Sequence, residues 1–280
     1  MPSPETLPWR GPGPGRPDRP LPPGPMPLRR DGQLRKRWRY VGIFGEEVML
    51  CAAKAQVGPL SQSFWVLWER RERRRHAHTR LRPGGGEVMF DDGRVEIRSR
   101  EVRASLSLGE CTPIEALCPS GSGWGWTRKR AGVPVSGTVE VAGRQRPVEA
   151  LGVDDESAGY HRRLTSWHWS AGVGRAADGR AVAWNLVEGI NDPAIDSERA
   201  IWIEGEPSEP QPVRFDDLAA IEFADGARLN FAEECERARD ENLLLLRSRY
   251  RHRFGSFSGS LPGLTLSEGL GVMEEHDARW

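Results

Sequence analysis

The sequence GYHRRLTSWHW, at residues 159–169, alternates large aromatic side chains with polar ones and runs on into a hairpin-like continuation from Ser170 to Asn185. Alternation with a period of two is typical of a β-strand with one dry face and one face toward water or a ligand. The stretch is therefore the most favourable place in the chain for a site. Parity divides its side chains between two faces: Arg163, Thr165, Trp167 and Trp169 on one, and Ser166, His168 and Ser170 on the other.

The spacing of glycines and prolines along the rest of the chain is typical of a β protein. Its 32 glycines and 22 prolines separate short runs of period-two alternation, at intervals of roughly 8–12 residues. The best helix candidate is the short segment 233–242, rich in Glu, Arg and Ala, which a polar edge strand would explain equally well. Asp-Gly pairs between two such runs are strong hairpin signals. They occur at Asp92-Gly93, Asp178-Gly179 and Asp225-Gly226.

These patterns predict an all-β fold of many short antiparallel strands, in a barrel or a sandwich. About 18 strands are too many for one small barrel, so we expect two β units in tandem, with a seam between about Gly132 and Gly152. The expected organisation is an extended arm rich in Pro, Gly and Arg at residues 1–34, a first β unit at 35–142 and a second at 143–280. The composition of the arm cannot bury enough surface to offset chain entropy, so we expect it to be disordered or draped over the folded part.

The balance of charge argues against nucleic acid as a partner. The chain has 40 basic and 40 acidic residues and a formal net charge of zero, whereas a protein that binds phosphates normally has a net basic footprint. The charge is uneven, with a strongly basic run from Arg70 to Arg82. This run is interpreted as a solvated hairpin connection, with contact to an anion or an acidic lipid as the alternative.

The four cysteines indicate neither a disulfide framework nor a zinc site. Cys111 and Cys118 have a spacing that fits no zinc pattern, and Cys51 and Cys235 are remote from them in sequence. A reducing, cytoplasmic location is therefore the expectation. The N-terminus has no apolar signal-peptide core, and no apolar run approaches the length of a membrane span. The sequence does not indicate the oligomeric state.

We expect no metal and no cofactor. His161 and His168 lie on opposite faces of an extended strand, roughly 23 Å apart. His76 and His78 share a face, but their basic surroundings would repel a cation. The glycine clusters near residues 84–86 and 121–125 lack the ending of a phosphate loop, and the chain contains no Gly-x-Ser-x-Gly nucleophile motif.

Two sets of residues are candidates for a site. The tryptophans of the opening stretch either fill a core or line a cavity closed by Tyr160 and Arg163, and the mouth of a β-barrel is a usual place for such a cavity. The candidate ligand-binding residues are Tyr160, His161, Arg163, Thr165, Trp167, Trp169 and Asn185. Three carboxylates are catalytic candidates, because burial in an apolar cavity would raise the pKa and allow a general acid. They are Glu188, Glu198 and Glu274.

Five segments, in order along the chain, carry a resemblance to a known family. They are Lys36–Gly42, Thr165–Trp169, Asp178–Arg180 with Asn185–Gly189, Phe254–Gly259 and Gly269–Trp280. Together they resemble an uncharacterised bacterial family, domain of unknown function 2804, from about Pro27 onward. That family is in turn similar to the carotenoid hydratase, tocopherol cyclase and AttH-like group. The resemblance implies two lipocalin-like β-barrels or half-barrels in tandem and, for the hydratases and cyclases, protonation of an isoprenoid double bond. That group often has an Asp-His pair ahead of the tryptophan strand, where this chain has Tyr160-His161, so no catalytic residue is carried over.

Three functions follow as alternatives. The leading hypothesis is binding of a mostly apolar small molecule, such as a lipid or an isoprenoid, in a β-barrel cavity. The second is a cofactor-free enzyme of the hydratase or cyclase type that adds a proton to such a ligand. The third is a structural or interaction protein whose aromatic residues form a solid core.

Overall fold

The structure is a computed structural model that describes residues 7–11, 15–81, 86–91, 93–243 and 246–279. All regular elements within these ranges are β-strands, which confirms the all-β prediction. The first thirteen are β1 (Trp9–Gly11), β2 (Arg29–Arg30), β3 (Gln33–Leu34), β4 (Lys36–Phe44), β5 (Val48–Val57), β6 (Leu60–Glu69), β7 (Arg74–Leu81), β8 (Val88–Asp91), β9 (Arg94–Arg98), β10 (Val102–Leu108), β11 (Ile114–Ser120), β12 (Gly123–Val141) and β13 (Arg144–Gly159). The others are β14 (Leu164–Ala176), β15 (Ala181–Glu188), β16 (Ala200–Ile203), β17 (Glu206–Ser208), β18 (Arg214–Asp216), β19 (Ala220–Glu222), β20 (Arg228–Leu243), β21 (Leu246–Leu261) and β22 (Leu264–Arg279).

The strands form two large antiparallel sheets, each curled as a half-barrel, and this confirms the predicted pair of lipocalin-like units. The first sheet runs β7-β6-β5-β4-β13-β12-β10-β9-β8, with β11 paired to β12 and β1 paired to β11. The second sheet runs β17-β16-β15-β14-β22-β21-β20-β19-β18. In the described residues, β2 and β3 form a separate small hairpin.

The three Asp-Gly signals stand at hairpins, as predicted. Strands β14 and β15 pair up to Arg175 opposite Ala181, around Asp178 and Gly179. Gly179 has φ of 91° and Gly226, between β19 and β20, has φ of 88°, in the left-handed region that glycine adopts without a Cβ clash. Strands β8 and β9 pair across the third position, of which Asp92 lies outside the described residues.

The segment 233–242 is part of β20, so the helical alternative is wrong and the strand alternative holds. Along this segment Cys235 and Arg237 are buried, while Glu236 between them faces the other side of the sheet. Glu236 forms ion pairs with Arg251 and Arg253 of the neighbouring strand β21. Cross-strand pairing of this kind outweighs the weak helical preference of Glu, Arg and Ala.

The chain passes from the first sheet to the second between Gly159 and Leu164, later than the seam expected between the units 35–142 and 143–280. Strand β13 belongs to the first sheet, because it pairs with both β12 and β4. The break at Ala142 and Gly143 is the tight turn of the long β12–β13 hairpin, in which both residues have positive φ. A turn within a hairpin and a connection between sheets have the same composition, so the sequence pattern does not separate them.

The arm packs on the first sheet within the part of residues 1–34 that the structure describes. Strand β1 pairs with β11. Leu21 and Met26 are buried in a small cluster with Trp124, Trp126 and Tyr160. The arm therefore contributes apolar surface to the fold even though it has little regular structure.

The basic run that begins at Arg70 forms the β6–β7 turn and strand β7, up to Leu81; Arg82 lies outside the described residues. Arg70 pairs with Glu234 of the second sheet at 2.7 Å. His76 is buried between Glu69 and Glu101. Through these partners the hairpin contacts other parts of the fold, in addition to presenting a charged surface.

Apart from the small cluster under the arm, the described residues form three larger apolar cores, which follow from the alternation of side chains. One lies inside each curled sheet, and the third lies between the two sheets. Along β4, for example, Val41 and Ile43 point into the first sheet's own core, whereas Tyr40 and Phe44 point into the shared core. The shared core positions the site described next.

Candidate functional site

A cavity of about 290 Å³ lies between the two sheets, at one end of the shared core. Strands from both sheets form its walls, so neither sheet encloses it alone. Its aromatic lining consists of Trp38, Tyr40, Phe64, Trp167, Trp169 and Tyr250.

The aromatic rings of the wall pack in pairs that each join one sheet to the other. Trp38 stacks on Trp167 with centroids 6.2 Å apart and ring planes at 10°. Tyr40 meets Trp169 edge to face at 5.2 Å. Such pairs contribute about 0.5–1.5 kcal/mol each beyond the burial of their surface. They fix the relative position of the two sheets around the cavity.

The indoles of β14 belong both to the shared core and to the cavity wall. Trp169 is buried, and its Nε1 donates to Oδ1 of Asn185 at 2.8 Å. Trp167 is half-buried, and its Nε1 donates to Oε1 of Glu274 at 3.0 Å. Ser170, on the opposite face, accepts a hydrogen bond from Trp184 in the second sheet's own core. The two faces of the strand therefore serve different cores.

Glu274 of β22 places a carboxyl group in the cavity wall. Its Oε2 accepts a hydrogen bond of 2.7 Å from the hydroxyl of Tyr250, and its Oε1 accepts one from Trp167. Burial raises the pKa of this carboxyl to about 7, although the two hydrogen bonds favour the charged form and oppose the rise. A carboxyl with such a pKa can donate or accept a proton near neutral pH.

Two histidines beside Glu274 are neutral at neutral pH. Burial and the nearby charge of Arg237 lower the pKa of His252 to about 3, and its Nε2 lies 3.0 Å from the hydroxyl of Tyr40. Burial likewise lowers the pKa of His276 to about 3. His276 lines the cavity, so its neutral ring can exchange a hydrogen bond with a ligand without adding charge to the wall, whereas His252 is not part of the lining.

A buried group of three charges lies at the inner end of the cavity. Nζ of Lys129, on β12, lies 2.6 Å from Oδ2 of Asp155 and 3.2 Å from Oε1 of Glu198. Burial lowers the pKa of Lys129, but the two carboxylates outweigh it and leave this pKa above its usual value. Burial also raises the pKa of both carboxyls, against the effect of Lys129. Asn191 donates to the second oxygen of Glu198 at 2.9 Å.

Several predicted ligand-binding residues lie away from the cavity. The Tyr160 ring packs against Trp124, and its hydroxyl donates to the carbonyl of Pro27 at 2.6 Å. Arg163 is exposed, and Thr165 is half-buried at the start of β14. Tyr160 and Arg163 belong to the connection between the sheets, before β14 begins, so they do not close the cavity as the sequence suggested.

Two further predicted residues support the wall from behind. His161 is buried and lies 5.3 Å from Trp38 between ring centroids; burial and the charge of Lys36 lower its pKa to about 3. Asn185 holds Trp169 and donates to the backbone carbonyl of Glu198 at 2.9 Å. Neither His161 nor Asn185 lines the cavity.

The three candidate carboxylates lie at different positions relative to the cavity. Glu274 and Glu198 line the cavity. Glu188 is half-buried at the end of β15, where it accepts a hydrogen bond from the backbone N–H of Phe215 at 2.9 Å. The geometry therefore brings two of the three together with Trp167 and Trp169.

Sequence reasoning missed much of the wall. Trp38 and Tyr40 alternate with arginines in β4, and Tyr250 alternates with arginines in β21, which is the same period-two signal as in β14. Lys129 and Arg237 had no distinguishing signal, because nothing in a linear pattern indicates that a lone cation will be buried.

Within the described ranges, no helix is long and apolar enough to cross a membrane. In the same part of the chain, no three or more His, Cys, Asp or Glu side chains are grouped so that they could hold a metal ion.

The model of one protein family, described as a domain of unknown function (DUF2804), matches residues 118–280. The chain belongs to this family. The matched segment includes Lys129, Asp155, Trp167, Trp169, Glu198 and Glu274. No curated protein matches the chain.

Two solved structures are similar to the DUF2804 chain over most of their length. A protein described as AttH-like from Nitrosomonas europaea has 14% sequence identity and a TM-score of 0.53, covering 91% of this chain and 97% of its own. Kievitone hydratase from Nectria haematococca has 9% identity and a TM-score of 0.51, covering 88% of each chain. These similarities confirm that the chain shares the fold of an AttH-like protein and of a hydratase.

Proposed function

We propose that this protein binds a mostly apolar small molecule in the cavity between its two sheets. The observation that carries the proposal is an aromatic wall contributed by both sheets around a space of about 290 Å³, close to the lower end of the range of about 300–1,000 Å³ that is typical of ligand sites. Protein interiors are otherwise close-packed. A hollow of this size within a shared core therefore favours binding over a purely structural role.

The mouth of the cavity supports the same proposal. Leu60 and Leu81 line it and are 55% and 51% exposed. Large apolar side chains exposed beside an apolar cavity are suited to the entry of a hydrophobic molecule.

A second candidate function is favoured by Glu274 alone. A carboxyl with a pKa of about 7, held by Tyr250 and Trp167 against the cavity, is suited to protonate a double bond of the bound ligand without a cofactor. The proton would pass from Glu274 to one carbon of the double bond and leave a cation on the other carbon. Water would then add to that carbon and lose a proton, or a neighbouring carbon would lose one, and the released proton would restore the acid form of Glu274. The fold shared with kievitone hydratase is compatible with this chemistry.

The binding proposal is tested by filling the cavity. Ala55 is half-buried on β5, lines the cavity and is the neighbour of Trp38 in the pairing of β4 with β5. We expect Ala55→Phe to abolish binding of a fluorescent hydrophobic probe that the unaltered protein binds saturably. Ala219→Phe, at an exposed turn, is the matched control and should bind the probe normally. Equal binding by both variants would place the probe elsewhere and contradict the proposal.

The enzyme candidate is tested with Glu274→Gln. This variant keeps the shape of the side chain but cannot deliver the proton. Binding that persists while conversion of a bound isoprenoid stops would support catalysis. Conversion that continues in Glu274→Gln would exclude Glu274 as the acid.

A further inference from the structure

Arg237 of β20 is a buried cation in the cavity wall. Its side chain is among the buried polar groups, at 6% exposure, and it lines the cavity. Its Nη2 donates to Oγ1 of Thr79 on the first sheet at 2.8 Å. The guanidinium lies 4.2 Å from the ring centroid of Phe64 and 5.4 Å from that of Tyr250.

Arg237 differs from neighbouring arginines in its lack of a carboxylate. Arg239 pairs with Glu241 at 2.6 Å, and Arg253 pairs with Glu236 at the same distance. Among the residues that the structure describes, no carboxylate lies within ion-pair distance of Arg237; its recorded partners are a hydroxyl and two rings. Burying a charge is unfavourable unless it is paired, and aromatic faces offset only part of that loss.

In the described part of the chain, no group that faces Arg237 forms an ion pair with it. Glu241 also lines the cavity and acts on Arg237 electrostatically, but its ion pair is with Arg239. His252 lies opposite Arg237 in the β20–β21 register, and it is neutral. The Tyr250 ring separates Arg237 from the carboxyl of Glu274, since that tyrosine contacts the guanidinium with its face and Glu274 with its hydroxyl. One side of the cavity therefore carries a permanent cation next to aromatic surface.

We infer that Arg237 binds a carboxylate of the ligand, so that the cavity accepts amphipathic carboxylic acids in preference to neutral hydrophobic molecules. This inference rests on the proposed binding function and narrows its ligand class. A guanidinium presents paired N–H donors that match the two oxygens of a carboxylate. With the carboxylate at Arg237, the apolar part of the ligand would lie along the tryptophan wall formed by Trp38 and Trp167.

The test compares a fluorescent long-chain fatty acid with its methyl ester, at a pH at which the acid is ionised. We expect the unaltered protein to bind the acid roughly 10- to 100-fold more tightly than the ester, the range for a charge-assisted hydrogen-bonded contact. In Arg237→Met the acid and the ester should bind about equally. Arg253→Met, the same substitution in an arginine outside the cavity, should keep the preference.

Two further measurements guard against a folding defect in Arg237→Met. Thr79→Val removes the hydrogen bond from Arg237 to the first sheet but leaves the guanidinium, and it should retain the preference for the acid. The ratio of acid to ester binding in the unaltered protein tests the inference without any variant. Equal binding there, or a preference that survives in a folded Arg237→Met, would overturn the carboxylate anchor while leaving the binding function in place. Binding of neither probe would overturn the binding function itself.

Discussion

Tyr250 donates a hydrogen bond of 2.7 Å to Oε2 of Glu274, across the pairing of strands β21 and β22. Trp167 donates to the other oxygen of the same carboxyl from β14. Both bonds favour the carboxylate, whereas burial favours the neutral acid, and burial prevails. The balance gives this carboxyl a pKa near neutrality inside an aromatic cavity, and the first two predictions depend on it.

Stability should fall as the pH rises through the range in which Glu274 ionises. Its pKa is about 7 in the folded protein, above the ordinary value of 4.5, so the folded state holds the proton more tightly than the unfolded state. The raised pKa therefore adds to the free energy of unfolding, and this contribution is fully present below about pH 4.5. It is lost as the pH rises to about 7, and the loss is on the order of 2–3 kcal/mol. Urea unfolding from about pH 5 to pH 8 should show this loss in the unaltered protein and a smaller loss in Glu274→Gln. Parallel profiles for the two proteins would contradict the raised pKa.

Removing the tyrosine hydroxyl should raise the pKa of Glu274 further. Tyr250→Phe deletes a donor that stabilises the carboxylate and leaves the ring in place. The carboxyl stretching band of protonated Glu274, identified by its loss in Glu274→Gln, should persist to higher pH in Tyr250→Phe. Ser248→Ala, which removes the hydroxyl that contacts His276, is the control and should leave the band's pH dependence unchanged. A lower pKa in Tyr250→Phe would show that the hydrogen bond does not act on the carboxylate.

The charged group at the inner end of the cavity should be sensitive to loss of its cation. Lys129→Met leaves Asp155 and Glu198 buried without a counter-charge, and we expect it to lower the free energy of unfolding by about 3–5 kcal/mol at neutral pH. Arg175→Met breaks an exposed pair with Glu268 and should change the stability by less than about 1 kcal/mol. Combining Lys129→Met with Asp155→Asn and Glu198→Gln should recover much of the loss. Equal effects of the two single variants on urea unfolding would show that the buried group is not a stabilised ion cluster.

The two tryptophans of β14 should respond differently to truncation. Trp169 packs in the shared core, so Trp169→Ala should cost about 3–5 kcal/mol of unfolding free energy. Trp167→Phe keeps an aromatic face at a half-buried position and should cost less, while weakening probe binding. Chemical denaturation and probe titration of both variants measure these effects. A larger loss of stability in Trp167→Phe would reverse the roles assigned here.

Alternation with a period of two gave a correct interpretation of the sequence within the strands. It placed Trp167 and Trp169 on one face, and Asp-Gly turns located hairpins, because both signals are local. It failed for Tyr160 and Arg163, which precede β14 in the connection between sheets, where strand parity has no meaning. It also misplaced the seam, because the turn at Ala142 and Gly143 has the composition of a linker.

The chemistry of the wall depends on contacts that no local pattern contains. Glu274 could be selected from sequence as one of three carboxylates, but its burial comes from Trp167 and Tyr250 on other strands. Arg237 lies in the segment 233–242, for which the sequence allows a helix or a polar edge strand, and neither pattern indicates that this arginine is buried beside a cavity. The burial and the charge of such residues can be judged only when it is known which strands, distant in the chain, pair with one another.

Native mass spectrometry of the freshly purified protein tests the central claim most directly. We expect the unaltered protein to carry a bound hydrophobic small molecule at one per chain, or to take up one added fatty acid, and Ala55→Phe to carry none. The claim would be contradicted if the unaltered protein showed only the mass of its polypeptide and this mass stayed the same after addition of hydrophobic acids, esters and isoprenoids.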